Sequence, residues 1–171
     1  MNETIKTLSD RRSIRSYSDK SVSKEIIDEI LKAGLYAPTG RNSRDTLFLV
    51  VTNKELRDKL SALNAAVMGA DSDPFYGAQT LIVVFADSTR HTYIEDGSLA
   101  MGNLMNAAFS LGVDSCWIHR AREVFESDEG RVIARSLGIP DNYVGIGNCI
   151  LGYRNCDLPK PAERTQPVIF V

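Results

Sequence analysis

The final nineteen residues, YRNCDLPKPAERTQPVIFV, restrict the possible folds more than any other stretch. Pro159, Pro161 and Pro167 each fix φ and remove a backbone donor, so this segment runs extended. It then finishes on four apolar residues, Val168, Ile169, Phe170 and Val171. No neighbouring hydrophobic run stands ready to pair with them. Such an ending has to join a sheet formed elsewhere, in the same chain or in another subunit.

The rest of the sequence supplies that sheet. An amphipathic N-terminal segment, with Ile5 and Leu8 inward, leads into an arginine-rich turn. Ser23 is placed to cap the next helix, Val22 to staple against Ile27, and Ile26, Ile27, Ile30, Leu31 and Leu35 to form its apolar face. Pro38 ends that run, and APTGRNSRD reads as a loop before the strand TLFLVV. Asn53 caps a further helix with Leu56, Leu60, Leu63 and Val67 on its core side. The loop MGADSDPFYG and the strand TLIVVFA follow.

The longest helical segment runs from Tyr93 to Leu111, with Leu99, Met101, Leu104, Ala108 and Leu111 apolar. Gly97, Ser98, Ala100 and Gly102 would let another helix or a flat ligand approach it closely. After the strand VDSCWI comes a charged helix from Arg122 to Leu137, stopped by Gly138 and Pro140, and then the strand YVGIGNCILG. This order predicts one domain over residues 1–171, a sheet with helices on both sides. Periodicity does not fix strand direction; the terminal arm points to a mixed sheet.

Several function classes are disfavoured. Lys and Arg total 20 against 22 Asp and Glu, a net charge of −2, which gives no basic excess for nucleic acid. No apolar run spans a bilayer, and the polar start MNETIKTLSD does not read as a leader, so a cytoplasmic protein is expected. Cys116, Cys149 and Cys156 are odd in number and lack CxxC spacing; the first two read as packing residues. With only His91 and His119 and no clustered ligands, no metal site is expected. GSLAMGN lacks the lysine of a phosphate loop, and GIGNCI lacks the helix a dinucleotide fingerprint needs. With few acids, bases or nucleophiles in evidence, redox chemistry would have to come from a cofactor.

Arg11, Arg12 and Arg15 crowd around Ser13 in DRRSIRSYSD. Guanidinium forks and a hydroxyl suit phosphate oxygens. The same residues could also form a solvated turn offset by Asp10 and Asp19.

Four stretches taken in order, RRSIRSY, APTGRNS, GSLAMGNLMNAAFSLGVDSCWIHRA and LPKPAERTQPVIFV, resemble the nitroreductase family of FMN-dependent oxidoreductases over essentially the full length. The resemblance implies an α+β three-layer sandwich, a central mixed sheet flanked by helices, with the C-terminal arm exchanged in a homodimer. It also implies two FMN sites at the subunit interface. Arg11, Arg12 and Ser13 would then hold the phosphate and ribityl chain, and Arg15 the pyrimidine edge of the flavin. Arg164 and Lys160 match the family's second phosphate contact. Pro38, Thr39, Gly40 and Asn42 match the loop by which the partner covers the ring. Cys116, Trp117, Ile118, His119 and Arg120 match the strand end on its opposite side, where a backbone N–H near His119 or Arg120 would face N5.

Two places depart from the family pattern. NSRDTLF puts Arg44, Asp45 and Thr46 where relatives often carry Gln-Pro-Trp, and DSDPFYG has no lysine, leaving Asn64 as the substitute ahead of the second strand. The implied activity is NAD(P)H-driven reduction of nitroaromatics, quinones or a related small acceptor by a ping-pong mechanism. A flavin store or sensor without turnover is the alternative.

Overall fold

The strand β2 (Thr80–Asp87) organises the molecule, whose computed structural model describes residues 1–171. Thr80 to Ala86 are all buried, because both faces of β2 are covered by helices. It pairs antiparallel with β1 (Thr46–Val51) on one side and β4 (Tyr143–Gly152) on the other. β3 (Asp114–Ile118) pairs antiparallel with β4, giving the order β1-β2-β4-β3. The mixed character expected of the sheet thus comes down to one parallel bridge, between Ser13 and Ser115 beside β3.

Alternation along β2 sends side chains into two separate cores. Ile82 and Val84 pack with Ile27, Ile30, Met101 and Leu104, from α2 (Lys24–Leu35) and α4 (Tyr93–Ser110). Leu81, Val83 and Phe85 pack with Leu60, Val124, Phe125 and Ile133 on the opposite face. Those partners belong to α3 (Lys54–Met68), α5 (Ala121–Glu126) and α6 (Asp128–Ser136). Three layers result. A register shift after Val84 leaves Ile146 of β4 as an unpaired bulge residue. Gly97 of α4 sits directly over it, where a Cβ would come within 2.5 Å of the Ile146 side chain. The small residue therefore admits the sheet rather than a ligand.

Local signals account for the helix starts. Ser23 accepts the Ile26 N–H at 3.5 Å, and Asn53 accepts that of Leu56 at 2.8 Å. The single helix expected from Arg122 to Leu137 is instead two. Ser127 breaks it by capping α6 through the Gly130 N–H at 3.1 Å. Gly130 is needed there, since a Cβ would lie 1.8 Å from the Val124 carbonyl oxygen.

The expected inward faces also need correcting. Ile5 and Leu8 of α1 (Glu3–Asp10) are 52% and 51% exposed, and no residue of that helix is buried. Leu35, Val67, Leu99 and Leu111 are exposed as well. In each case helical spacing overstates the width of the stripe that this chain covers.

The loop between α3 and β2 closes on one carboxylate. Asp73 accepts from Arg57 Nη2, Ser61 Oγ at 2.6 Å, and the N–H groups of Phe75 and Gly77 at 2.9 and 2.8 Å. Arg57 is buried and also donates from Nε to Ala78 O at 3.0 Å. Arg154 bridges antiparallel to Tyr17, and beyond Cys156 the tail forms no helix or strand and is exposed, with Val168, Ile169 and Phe170 at 74%, 85% and 91%. No helix is long and apolar enough to cross a membrane.

Candidate functional site

Two buried asparagines fix the exit from β3. Asn64, reaching from α3 and 1% exposed, donates from Nδ2 to the His119 carbonyl at 2.8 Å and accepts from Arg120 Nε at 3.0 Å. Asn148 of β4 donates to the carbonyls of Ile118 and His119, both at 3.2 Å. Arg120 takes a left-handed φ of 73°, turning the chain sharply into α5. The carbonyls are thereby secured, while the His119 and Arg120 N–H groups have no acceptor within the chain.

A cleft of about 540 Å³ opens at this strand end, lined by Ile94, Ser98, Trp117, His119, Arg120 and Ile146 among others. Trp117 lies flat over Gly147, where a Cβ would meet its Nε1 at 2.3 Å, and that Nε1 is buried without a partner. The Trp117 and His119 rings are 5.7 Å apart. Arg122 closes one end by donating to the Tyr93 hydroxyl at 2.9 Å.

A second cleft, of about 490 Å³, gathers Arg11, Arg12 and Arg164 with Ile5, Leu8 and Pro161. Arg11 Nη1 and Arg12 Nε are buried and unpartnered. Arg12 Nη1 donates to Ser9 O and Arg11 O at 2.6 and 2.7 Å, covering the end of α1. Asp10 lines the same cleft but is engaged by Lys6, and Asp19 forms no ion pair, so neither carboxylate bonds the arginines directly. Unsatisfied buried donors of this kind are costly unless a ligand meets them. The phosphate reading therefore has the better physical support.

The loop of Pro38, Thr39, Gly40 and Asn42 stands apart from both clefts. The Gly40 N–H donates to Asp96 Oδ1 at 2.8 Å, and Thr92 Oγ1 donates to Asp96 Oδ2 at 2.8 Å. Arg41, Asn42 and Arg44 all adopt positive φ, at 55°, 57° and 52°. Thr39 Oγ1 holds this turn by accepting the Arg44 N–H at 3.1 Å.

Other expected site residues fall in different places. The side chains of Cys116 and Ile118 enter the core on the face opposite Trp117, so only their backbone lies near the cleft. Burial pushes the Cys149 thiol up to about 12, in keeping with a packing role. Asn64 supports the strand end from behind. Arg15 and Lys160 are exposed and line neither cleft, while Ser13 bridges to Ser115. Thr39 and Gly40 do not stack against Trp117 within this chain. Asn148 and Asp96 escaped the sequence reading, although an asparagine inside the apolar strand GIGNCILG was a signal.

The donors present fit FMN: buried guanidinium nitrogens for a phosphate, two free backbone N–H groups and a flat indole for a ring. Comparison with known proteins agrees. The model of the nitroreductase family matches residues 8–153. An Archaeoglobus fulgidus protein with the provisional name NADH dehydrogenase/NAD(P)H nitroreductase is 36% identical over 159 residues, covering 90% of this chain and 86% of its own length. A Bacteroides fragilis nitroreductase crystal structure with bound FMN superposes with a TM-score of 0.92 at 28% identity, covering 100% of both chains. A nitroreductase with bound FMN from Desulfitobacterium hafniense gives 0.90 at 27% identity, over 100% of this chain and 99% of that one. A match of this extent in sequence and in fold makes the chain a member of the nitroreductase family.

Proposed function

We propose that this chain is an FMN-dependent oxidoreductase that draws on NADH or NADPH and reduces a nitroaromatic, quinone or related small acceptor. The observation that carries this reading is the pair of unpartnered N–H groups at His119 and Arg120, clamped in place by Asn64 and Asn148. Bound FMN supplies hydride acceptance and donation, which no side chain here can perform.

The protein's own groups bind and orient. Arg11, Arg12 and Arg164 would hold a terminal phosphate, which favours FMN over a longer adenylylated flavin. Ser13 would meet the ribityl chain, and Arg15 the pyrimidine edge, where positive charge stabilises a reduced ring. Trp117 forms an apolar wall that keeps water from one side of the cleft. A homodimer completes the site in this proposal. The apolar tail has no partner on its own chain, and the Pro38–Asn42 loop would close over the other subunit's ring.

Titrating apo-protein with FMN tests the phosphate assignment. Arg11→Ala should weaken binding more than tenfold, since a charge-assisted contact contributes ~1.5–3 kcal/mol. Arg135→Ala, which breaks only a surface pair with Asp141, should leave the affinity nearly unchanged. Equal affinities for the two variants would show the arginine cluster to be a charged turn.

Turnover is tested separately. Anaerobic NADH or NADPH should bleach the flavin band before any acceptor is added, and a quinone or nitroaromatic should restore it. Steady-state lines should then be parallel, as ping-pong kinetics requires. If neither coenzyme bleaches the loaded protein, a flavin store or sensor takes the place of the oxidoreductase.

A further inference from the structure

The Gly40–Ser43 turn forms one wall of a third cleft, of about 400 Å³, whose lining contains no apolar side chain. Arg41, Ser43, Thr89, Arg90, His91 and Thr92 face it, with Gly40 at its base. Arg41 and His91 make no side-chain hydrogen bond or ion pair in the chain, and Arg90 Nε lies 3.8 Å from Asp87, its one ionic neighbour.

Two nearby carboxylates, Asp87 and Asp96, already accept hydrogen bonds from neutral donors, while Asp45, whose backbone carbonyl accepts the Asp87 N–H at 3.0 Å, has both carboxylate oxygens buried without a partner. Asp87 accepts the N–H and hydroxyl of Thr89 at 2.9 and 2.7 Å and Asn142 Nδ2 at 2.8 Å. Asp96 is taken by Gly40 and Thr92, as described above. Arg41 and His91 are thus left without a direct side-chain partner, and Arg90 has only its distant pairing with Asp87. Ser43 Oγ is also buried there with no partner. Two guanidinium groups, an imidazole and a free hydroxyl form an arrangement for phosphate oxygens.

We infer that this cleft binds a phosphate group of the nicotinamide coenzyme. The inference rests on the oxidoreductase reading above. Gly40 belongs both to the cleft and to the loop assigned to cover the flavin of the other subunit, so the cleft flanks the approach to that ring. Phosphate could come from the 2′-phosphate of NADPH or from the diphosphate that NADH and NADPH share.

The test uses the FMN-loaded protein and an Arg41→Ala/Arg90→Ala double variant, both surface changes that leave the two cores intact. Calorimetric titration with 2′,5′-ADP and with ADP reports binding without turnover. The variant should lose affinity for 2′,5′-ADP by about tenfold or more, and its KM for NADPH should rise by a similar factor. Higher salt should weaken wild-type binding in the same direction.

A loss confined to 2′,5′-ADP assigns the cleft to the 2′-phosphate, and an equal loss for ADP assigns it to the diphosphate. Unchanged affinity for both probes, with normal coenzyme reduction and unchanged KM, overturns the cleft assignment and leaves the oxidoreductase reading standing. Probe binding that the variant loses, in a protein whose flavin neither coenzyme reduces, overturns the coenzyme assignment together with that reading.

Discussion

Asp73→Ala should lower the stability of the fold by about 3 kcal/mol at neutral pH. The carboxylate accepts four hydrogen bonds, and its removal leaves the buried Arg57 guanidinium without its main counter-charge. Breaking a buried pair by deleting one partner costs about 3–5 kcal/mol. The lower end applies because the Asp73 side chain is 35% exposed. Asp73→Asn keeps an acceptor of the same shape and should cost less.

The effect has a definite pH dependence. Burial alone would raise the Asp73 carboxyl, but Arg57, Ser61 and the N–H groups of Gly77 and Phe75 outweigh it and hold the group below the usual carboxylate range. Its stabilisation is therefore complete above the unfolded value of about 3.9 and is lost as pH falls through the lowered folded one. Urea melts of wild type and Asp73→Ala should differ widely at pH 7 and converge in acid. Coincident midpoints at pH 7 would show that the α3–β2 loop closes by other means.

The second large effect is expected at the tail. Deleting Pro167–Val171 should convert the protein to a monomer and release its flavin in the same step. Full burial of a Val, Ile or Phe side chain contributes ~1.5–3 kcal/mol, so four such residues seated on a partner amount to several kcal/mol of association energy. On this chain they find no cover. Sedimentation velocity with absorbance detection at both protein and flavin bands reads the two losses together. A truncated protein that remains a fully loaded dimer would refute the exchange of the arm.

Sequence carried the local half of this structure well. Ser23 and Asn53 were legible as caps because a cap joins residues three apart, and the four strands announced themselves by branched and aromatic runs. Ser127 shows where such reading slips. Apolar spacing continues across it, so the periodicity conceals a break that Ser127 and Gly130 make by their own backbone contacts.

Long-range polar contacts were harder still. Asp96 resembles any acidic residue in a first helical turn until the fold brings Gly40 against it. Asn64 was legible as a site residue from its place ahead of the second strand, but its hold on the His119 carbonyl and Arg120 depends on how α3 packs against the end of β3. The arginine cluster could be read two ways because its decisive property, buried nitrogens without acceptors, depends on how Arg164 and α1 enclose it.

The clamp formed by Asn64 and Asn148 has a consequence for how such a protein can change over generations. It presents main-chain N–H groups, which every residue at positions 119 and 120 except proline would also possess. His119→Ala should accordingly slow turnover modestly while the donors stay in place. The side chains around them, Ile94, Ser98 and His119, are then free to be exchanged. If the cleft admits the acceptor as proposed, variation at this rim would alter which acceptors enter without rebuilding the apparatus beneath, and new specificities would lie within a few substitutions of the present one.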